Sequence, residues 1–283
     1  MSVQTAEPVT GEDALGDELR GRALAVREHV LRIGAGANGA HVGGSLSAAD
    51  ILVALYFAVL RVRPQEPDWA GRDHFVLSKG HAGAALYATL AERGFLPVPE
   101  LDTYGSPAGR LMAHPTPAVP GVEFATGSLG HGLSLATGLA LAARRAGRPN
   151  RVFTLMGDGE LQEGSVWEAA MAAAHLKLDN LTAVVDRNRL QISGPTEGRM
   201  GLEPLADKWR AFGWQVAEVD GHDFDELVPA LRAAPASGRP TVLIAETVKG
   251  RGVRHLEHRK QSHFAKLGEA AYERALAALR ASA

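Results

Sequence analysis

The chain contains no cysteine among its 283 residues. This absence excludes disulfide bonds, thiolate metal sites and a cysteine nucleophile, although it says little about the cellular compartment. Any bound metal must therefore take oxygen or imidazole ligands.

The chain also has no excess of charge of either sign. Its 30 basic and 32 acidic residues give a formal net charge of −2. Such a balance creates no broad field that would attract nucleic acid or an anionic membrane. We therefore expect small molecules or other proteins as partners, and neither nucleic acid nor a membrane.

Two further absences concern targeting. We expect no apolar segment of 18 residues that would span a bilayer. The polar, acidic start MSVQTAEPVTGEDALGDE lacks the basic and hydrophobic regions of a signal peptide. Both points predict a cytoplasmic protein, and the 46% hydrophobic content is enough for the core of a globular one.

The first half of the chain has mainly helical patterns. Residues 1–16 have no apolar periodicity, and we expect a flexible lead-in there. Helical spacing predicts a helix over 18–33. Ser47 followed by Asp50 predicts the capped start of a buried helix with the sequence ADILVALYFAVL. Further helices are predicted over 83–93 and 134–145.

Strands and helices alternate in the second half. Strands are predicted at 152–156, 181–186, 214–219 and 241–246, with helices at 163–176, 204–212 and 223–234. This alternation predicts an α/β fold, in which a doubly wound parallel sheet has helices on both faces.

One stretch, VFTLMGDGELQEGS over 152–165, joins an apolar strand to Gly-Asp-Gly. Asp158 follows this strand and Asn188 follows the next one. A right-handed crossover would place the two strands side by side with both carboxyl ends at one edge. The two side chains would then face each other across roughly 5 Å, in the crevice where open α/β sheets bind ligands.

Carboxylate and amide oxygens suit a magnesium diphosphate site. Mg²⁺ prefers hard oxygen ligands and often takes part of its shell from phosphates. The helix that starts after Gly164 directs its N-terminus to the same place, which favours a phosphate. Gly-Asp-Gly alone is a common turn, and Asn188 could stabilise its own loop. The strand context favours the joint site.

Five segments in this order resemble the N-terminal, diphosphate-binding half of transketolase: HVGGSLSAADILVALYF, RDHFVLSKGHAGAALYATL, AHPTPAVPGVEFATGSLGHGLSLATG, GDGELQEGSVWEAA and ETVKGRGV. The resemblance runs from about Arg22 to Val253. It implies a thiamine diphosphate-binding domain over residues 17–283. It also implies that Asp158, Asn188 and the main-chain oxygen of Leu190 hold Mg²⁺ or another divalent cation such as Ca²⁺ or Mn²⁺.

The same resemblance implies a set of cofactor contacts. They comprise the metal ligands Asp158 and Asn188 together with Gly127, Leu129, Gly130, Gly157, Gly159, Glu163 and Lys249. Lys79 is a second candidate anion ligand. In the resembled family the counterparts of Glu163 and Glu168 form an acidic network across a dimer interface, whereas by position alone they could complement a helix dipole.

Histidines lie in several loop-like positions, and imidazole moves protons well near neutral pH. In the resembled family the residues that match His41, His81 and His114 line the channel above the cofactor and bind the sugar or exchange protons with it. His263 is predicted as a fourth catalytic residue, although its context QSHF differs from the usual Trp-His-Gly.

The remaining histidines are given no catalytic step. His131 stands where many relatives have Gln, and we expect it at the cofactor or at an interface. His222, His255 and His258 are expected to be exposed or structural.

No segment resembles the pyrimidine-binding and C-terminal domains of full transketolases. The pyrimidine domain supplies the glutamate that hydrogen-bonds the aminopyrimidine ring of the cofactor. The resemblance thus implies half a site, which a separate C-terminal subunit would complete in an α2β2 heterotetramer. The implied reaction moves a two-carbon ketol unit from a ketose, or a ketose phosphate, to an aldose.

Two alternatives stay open. One is the α subunit of a 2-oxoacid dehydrogenase or of a related two-carbon acyl transfer system, which shares the Gly-Asp-Gly to Asn arrangement. The segments HVGGSLS and SKGHAG favour transketolase over it. The other is a non-catalytic regulatory subunit, and the presence of both Asp158 and Asn188 argues against it.

Overall fold

The structure is a computed structural model that describes residues 12–233 and 238–282. The strands within these residues are β1 (His74–Leu77), β2 (Val152–Gly157), β3 (Leu181–Arg187), β4 (Leu190–Gln191), β5 (Gly194–Pro195), β6 (Gln215–Asp220) and β7 (Thr241–Glu246). The α-helices are α1 (Glu12–Ala35), α2 (Val42–Val53), α3 (Gly83–Arg93), α4 (Gly132–Arg145), α5 (Gly164–His175), α6 (Leu205–Ala211), α7 (Phe224–Ala233) and α8 (Glu269–Ala281).

Five strands form a parallel sheet in the order β1-β2-β3-β7-β6. The predicted side-by-side placement of β2 and β3 is confirmed, with Val152 opposite Leu181 and Gly157 opposite Asp186. The strands β2, β3 and β7 are almost entirely buried because helices cover both faces of the sheet, whereas the edge strand β6 is partly exposed. Strands β4 and β5 form a separate two-stranded hairpin beside the main sheet.

Alternate residues of the central strands enter two different cores. Phe153 and Leu155 point into a core with helices α1, α2, α3 and α7, whereas Val152 and Met156 point into a core with α4, α5 and α6. This alternation follows from the two-residue period of a strand. The expected doubly wound α/β architecture with helices on both faces is therefore confirmed.

The first helix begins earlier than its apolar pattern predicts. Helix α1 starts at Glu12 rather than near Glu18, so residues 12–16 belong to a helix and not to the expected lead-in. The remainder of that lead-in, residues 1–11, lies outside the described residues. Polar residues in the first turns of α1 carry no periodic signal, which explains the difference.

The predicted cap at Ser47 is wrong. Helix α2 begins at Val42, so Ser47 and Asp50 are interior residues of the helix. Ser47 Oγ donates to the carboxylate of Asp186 at 2.6 Å, and Asp50 pairs with Arg27 of α1. Polar side chains that read as a cap are instead buried partners of distant elements.

The expectation that no segment is apolar enough to span a membrane is also wrong. Residues 42–59, where α2 continues into the π-helical turn Ala54–Val59, pass the test of length and composition for a spanning helix. In the fold, however, 89% of this stretch is buried inside the protein. Its apolar character is that of a core helix, which packs against α1 and α3.

Most other boundaries differ from prediction by a residue or two, but the strands β1, β4 and β5 and the helix α8 were not predicted. The strand β1, with the sequence HFVL, forms the edge of the sheet beside β2. Four residues between two helical patterns carry too little periodicity to indicate a strand. This strand matters because its carboxyl end leads directly to Lys79 and His81.

Candidate active site

Strands β2 and β3 end beside each other, and their ends open into a cavity of about 370 Å³. Its lining includes predicted metal, cofactor and catalytic residues: His41, His81, His114, Gly127, Leu129, Gly157, Asp158, Gly159, Glu163, Asn188, Leu190, Lys249 and His263. Residues from distant parts of the chain thus meet at the carboxyl edge of the sheet, where open α/β sheets bind ligands.

Asp158 is almost fully buried at the floor of this cavity. Its Oδ1 accepts a hydrogen bond from the main-chain N–H of Gly159 at 2.7 Å. Its Oδ2 accepts from the N–H of Arg189 at 2.5 Å and from Nη1 of Arg187 at 3.3 Å. Burial, together with the nearby charge of Asp186, raises the pKa of Asp158 above its ordinary value.

The side chain of Asn188 lines the same cavity, held by its own neighbours. Its Nδ2 donates to Asp186 Oδ1 at 3.1 Å, and its Oδ1 accepts from the N–H of Leu190 at 3.1 Å. The main-chain oxygen of Leu190 accepts from Lys249 Nζ at 3.0 Å. The amide is therefore fixed with its nitrogen, rather than its oxygen, toward Asp186.

The donor set matches a hard divalent cation. The Asp158 carboxylate uses three of about four acceptor positions, and the oxygens of Asn188 and Leu190 each use one of about two. Asp158 Oδ1 and the oxygens of Asn188 and Leu190 therefore each have capacity for one more partner, whereas Asp158 Oδ2 already accepts two hydrogen bonds. Within residues 12–233 and 238–282 there is no group of three or more His, Cys, Asp or Glu side chains that could hold a metal.

Asp186 lies directly behind these ligands and was missed from the sequence. It is fully buried and forms an ion pair with Lys79, and it also accepts hydrogen bonds from Thr247 and Ser47. Burial opposes ionisation of Asp186, but Lys79 and these hydrogen bonds outweigh it and hold the pKa of the carboxyl below its ordinary value. A carboxylate at the end of a strand, two residues before Asn188, is the signal that could have revealed it.

Lys79, the other candidate anion ligand, also lines the cavity, where it is paired with a carboxylate of the protein itself. Its ammonium group is buried and donates to Asp186 and to the main-chain oxygen of Gly44 at 3.1 Å. Lys249 also lines the cavity, and its Nζ lies 3.0 Å from His263 Nδ1. Burial and the charge of Lys79 lower the pKa of Lys249 to about 8.

A glycine turn forms one wall of the cavity. Gly127 and Gly130 have φ values of +142° and +83°, a region that disfavours side chains. A Cβ on Gly130 would lie 2.6 Å from both Glu163 Cβ and Ser165 Oγ. The turn thus packs against the start of α5. Gly127 and Leu129 line the cavity, while Gly130 stands just behind it.

Glu160 was not predicted as a site residue. Its side chain connects the glycine turn to the end of β2. Its carboxylate accepts from the N–H groups of Gly130 at 2.8 Å and Gly157 at 3.0 Å, and from the hydroxyl of Ser78. Burial raises the pKa of Glu160, although these hydrogen bonds oppose the rise. Glu160 lies three residues after Gly157, a spacing at which a side chain can accept a hydrogen bond from a nearby main-chain N–H. This spacing could have indicated its role.

Four histidines cluster in the same cavity, and one of them, His114, packs against Gly127 of the glycine turn. The imidazole centroid of His41 lies 5.6 Å from that of His81, 5.8 Å from that of His114 and 5.3 Å from that of His263. The loop with His263 is held beside His41 because Ala40 and Ala265 exchange main-chain hydrogen bonds at 2.9 Å. The four predicted catalytic histidines thus form one group, which we call the histidine cluster.

The environment keeps most of these rings neutral. Burial, together with His114 and Lys249, lowers the pKa of His41 to about 4. Burial, with Lys249 and His41, lowers the pKa of His263 to about 3. Burial and the nearby Lys79 place the pKa of His81 well below its usual range. Neutral imidazoles can accept protons, and the ring atom His41 Nδ1 has no hydrogen-bond partner among the described residues.

The remaining singled-out residues lie outside the cavity. His131 precedes α4 and is exposed, with Nδ1 3.1 Å from the oxygen of Leu129. Glu168 is exposed on α5, as are His255 and His258 on the loop after β7. His222 also lies outside the cavity and is hydrogen-bonded to Asp50 and to the main chain of Val248.

Known proteins are similar to this chain over nearly its whole length. The family model described as "Transketolase, thiamine diphosphate binding domain" matches residues 21–280. The chain is 46% identical over 254 residues to the 6-deoxy-6-sulfo-D-fructose transketolase subunit SqwG of Clostridium sp. (strain MSTE9), covering 89% of this chain and 91% of that protein. It is 47% identical over 232 residues to an apulose-4-phosphate transketolase subunit of Phocaeicola vulgatus, covering 82% of this chain and 83% of that protein.

Solved structures agree in fold. The crystal structure of transketolase from Campylobacter jejuni has a TM-score of 0.87 and 33% sequence identity, covering 96% of this chain and 43% of that one. The chain thus spans about two fifths of the length of that transketolase, and nearly the full length of the subunit-type relatives. With its cavity at the carboxyl edge of the parallel sheet and a family match that extends over residues 21–280, the chain belongs to the transketolase thiamine diphosphate-binding domain family.

Proposed function

We propose that this chain is the thiamine diphosphate- and Mg²⁺-binding subunit of a two-component transketolase. The complex would transfer a two-carbon ketol unit from a ketose, or ketose phosphate, to an aldose acceptor. The observation that carries this proposal is the position of the histidine cluster in the same 370 Å³ cavity as Asp158 and Asn188. The proposed diphosphate site and the proposed sugar-binding histidines would thus share one cavity.

Asp158, Asn188 and the main-chain oxygen of Leu190 would hold the metal, since their oxygens have unused capacity. A divalent cation would favour the ionised form of Asp158, whose burial otherwise opposes ionisation. Gly127, Gly157 and Gly159 would allow close approach of the main chain to the diphosphate. When bound, thiamine diphosphate supplies the carbon nucleophile that ketol transfer needs.

The histidine cluster would serve the sugar. A neutral imidazole can accept the proton of a donor hydroxyl and return it to the acceptor oxygen. His41, His81 and His263 have lowered pKa values, so these rings are neutral at neutral pH and can each donate and accept a hydrogen bond with a sugar hydroxyl. Lys249 beside His263 adds positive charge that would attract an oxyanion or a phosphate.

The two-component part of the proposal is supported by the relatives. The proteins from Clostridium and Phocaeicola are named as transketolase subunits, and this chain aligns with 91% and 83% of their lengths. We propose that a complementary subunit supplies the pyrimidine-binding half of the site, and that the assembly is an α2β2 heterotetramer. The names of these relatives also favour a sugar or a sugar phosphate as substrate.

Reconstitution tests this function directly. The purified chain is assayed alone, and then with a complementary subunit of the same kind of system, for transfer from a ketose phosphate to an aldose phosphate. We expect no measurable turnover by the chain alone and turnover by the complex that depends on both thiamine diphosphate and Mg²⁺. Full turnover by the chain alone would refute the two-component proposal.

One further assay and one variant separate the alternatives. Pyruvate-dependent dye reduction by the complex would point to the 2-oxoacid dehydrogenase class, and a transketolase should be nearly silent in that assay. An Asp158→Ala complex that retains full activity would point to a non-catalytic subunit.

A further inference from the structure

A buried relay of side chains lies outside the cavity and ends on the residue before Lys249. Arg27 of α1 donates through Nη1 and Nη2 to the two carboxylate oxygens of Asp50 at 2.9 and 2.5 Å. His222, in the loop before α7, has Nδ1 2.6 Å from Asp50 Oδ2. The main-chain N–H of Val248 donates to His222 Nε2 at 2.8 Å. We call this chain of contacts the His222 relay.

The contacts assign the protonation of the imidazole. A main-chain N–H only donates, so Nε2 of His222 must be the accepting nitrogen. The ring proton then lies on Nδ1 and is donated to Asp50. Burial opposes ionisation of Asp50, but Arg27 and the hydrogen bond from His222 lower the pKa of this carboxyl to about 2. An ionised Asp50 is a strong acceptor that favours this one tautomer.

Val248 stands between two residues that reach the candidate active site. Thr247 donates to the buried carboxylate of Asp186, which orients Asn188. Lys249 donates to the oxygen of Leu190 and contacts His263. This short segment leaves β7 as a loop, so the strand ladder does not hold the N–H of Val248. The acceptor that holds it is His222.

We propose that His222 is a positioning residue, which fixes the main chain at Val248 and thereby sets the position of Lys249 against Leu190 and His263. Its effect on ketol transfer rests on the proposed function, whereas its effect on the position of the loop does not. A residue with a merely structural role would change the stability of the fold without changing this loop selectively.

Two variants separate the two contacts of the imidazole. His222→Gln places an amide oxygen near the position of Nε2 and keeps an acceptor for Val248. His222→Asn places an amide nitrogen near the position of Nδ1 and keeps the donor to Asp50, but nothing reaches Val248. Both variants remove the ring and leave polar groups in its place, and His222 borders a second cavity of about 460 Å³ that can admit water.

The first measurement is amide hydrogen exchange at Val248 in the full chain, which needs neither cofactor nor turnover. We expect exchange about fivefold or more faster in His222→Asn, the effect of one net main-chain hydrogen bond, and a rate within about twofold of the parent in His222→Gln. Equal rates in the two variants, or an unchanged rate in His222→Asn, would overturn the proposal.

The second measurement is the Michaelis constant for thiamine diphosphate in the reconstituted complex, at saturating Mg²⁺. We expect it to rise about fivefold or more in His222→Asn and to stay close to the parent value in His222→Gln. A change in exchange at Val248 with no change in this constant would overturn the link to the active site. If the parent complex itself has no activity, the proposed function fails while the exchange result still stands or falls alone.

A third measurement uses the unaltered chain and so does not depend on the folding of a variant. The ¹⁵N chemical shifts of the His222 ring identify which nitrogen carries the proton. We expect a neutral ring with the proton on Nδ1. A proton on Nε2 would overturn the relay, because Val248 would then have no acceptor.

Discussion

At the scale of single residues, two buried carboxylates of the site have pKa values that are shifted in opposite directions. Asp186 is matched by Lys79, and its pKa is lowered despite full burial. Asp158 is less well matched, and its pKa is raised. A raised pKa at a buried carboxylate in a cavity, here despite the ion pair with Arg187, is typical of functional sites. The difference marks Asp158 as the carboxylate that a cation would complete.

Replacement of Asp158 by Asn therefore tests the metal site. The change keeps the size of the side chain but removes the charge that would bind a divalent cation. We expect Mg²⁺-dependent binding of thiamine diphosphate to weaken by at least about 100-fold, as measured by titration calorimetry of the reconstituted complex.

Asp207→Asn is the matched control, since Asp207 is 69% exposed on α6, where it pairs with Arg210 and does not line the cavity. It should bind cofactor as the parent does. Retention of parent-like affinity by Asp158→Asn would contradict the assigned role.

The lowered pKa of His41 predicts a dependence of stability on pH. A histidine whose pKa falls from 6.5 to about 4 on folding binds more protons in the unfolded state between these values. Its contribution is therefore fully present above pH 6.5 and is lost as the pH falls towards 4. After a discount for its partial exposure, we expect a loss of about 1 kcal/mol between pH 7 and pH 5.

Urea unfolding of the full chain at these two pH values measures the effect, and His41→Gln should lose less stability than the parent over the same interval. An identical loss in both proteins would show that His41 does not contribute. Because His41 also lowers the pKa values of His263 and His81, the difference measures His41 together with its coupling to these rings.

At the scale of secondary structure, the site residues lie at the ends of strands and helices, and polar residues inside the helices pair with other elements. β2 and β3 deliver Asp158 and Asn188, and α2 contributes interior polar residues that pair with other elements. The start of α4 is packed through a glycine turn against the start of α5. Close main-chain approach at this turn leaves no room for a side chain.

Two glycine substitutions of the same kind should therefore have opposite effects. Gly130→Ala places a methyl group 2.6 Å from Glu163 and Ser165 at a positive φ, so we expect destabilisation of about 2 kcal/mol or more. Gly138→Ala lies within α4 with nothing inside 4 Å, and we expect stabilisation of about 0.5–1 kcal/mol from helix propensity.

Thermal and urea unfolding of the isolated chain measure both variants. In the complex, Gly130→Ala should also weaken cofactor binding, because the turn with Gly127 and Leu129 lines the cavity. Similar stabilities for the two variants would contradict the packing described for this turn.

At the scale of the whole molecule, one open side of the cavity is apolar. Ile192 at its lining is 69% exposed, and Phe264, whose ring lies 5.1 Å from that of His41, is 50% exposed. Large exposed apolar side chains beside a functional cavity are typical of an interaction surface. Their position fits the proposed partner, which would complete the site from that side.

The double substitution Ile192→Ser with Phe264→Ser should therefore weaken association with the complementary subunit by about tenfold or more. Sedimentation of the mixed subunits without cofactor measures this effect separately from catalysis. Asp207→Asn again serves as the control and should associate normally. Unchanged association of the double variant would place the partner elsewhere.

Short-range pattern in the chain was sufficient for the fold class and for a first set of candidate site residues. Strand and helix periodicities are local properties, and the ends of β2 and β3 led to the expectation that Asp158 and Asn188 meet; both side chains line one cavity. The segments around His41, His81 and His114 resemble those of a known family, and this resemblance predicted the three histidines as site residues. Their rings lie in that cavity.

Folding in three dimensions settled what no local pattern encodes. Lys79 pairs with Asp186 across 107 positions of sequence, and His222 with Asp50 across 172. Ser47 and Asp50 read as a cap, yet they became buried partners once other elements packed on α2. The physical reason is that a buried polar group is stabilised by whichever complementary group the packed elements bring to it, and that neighbour is a property of the fold rather than of the adjoining sequence.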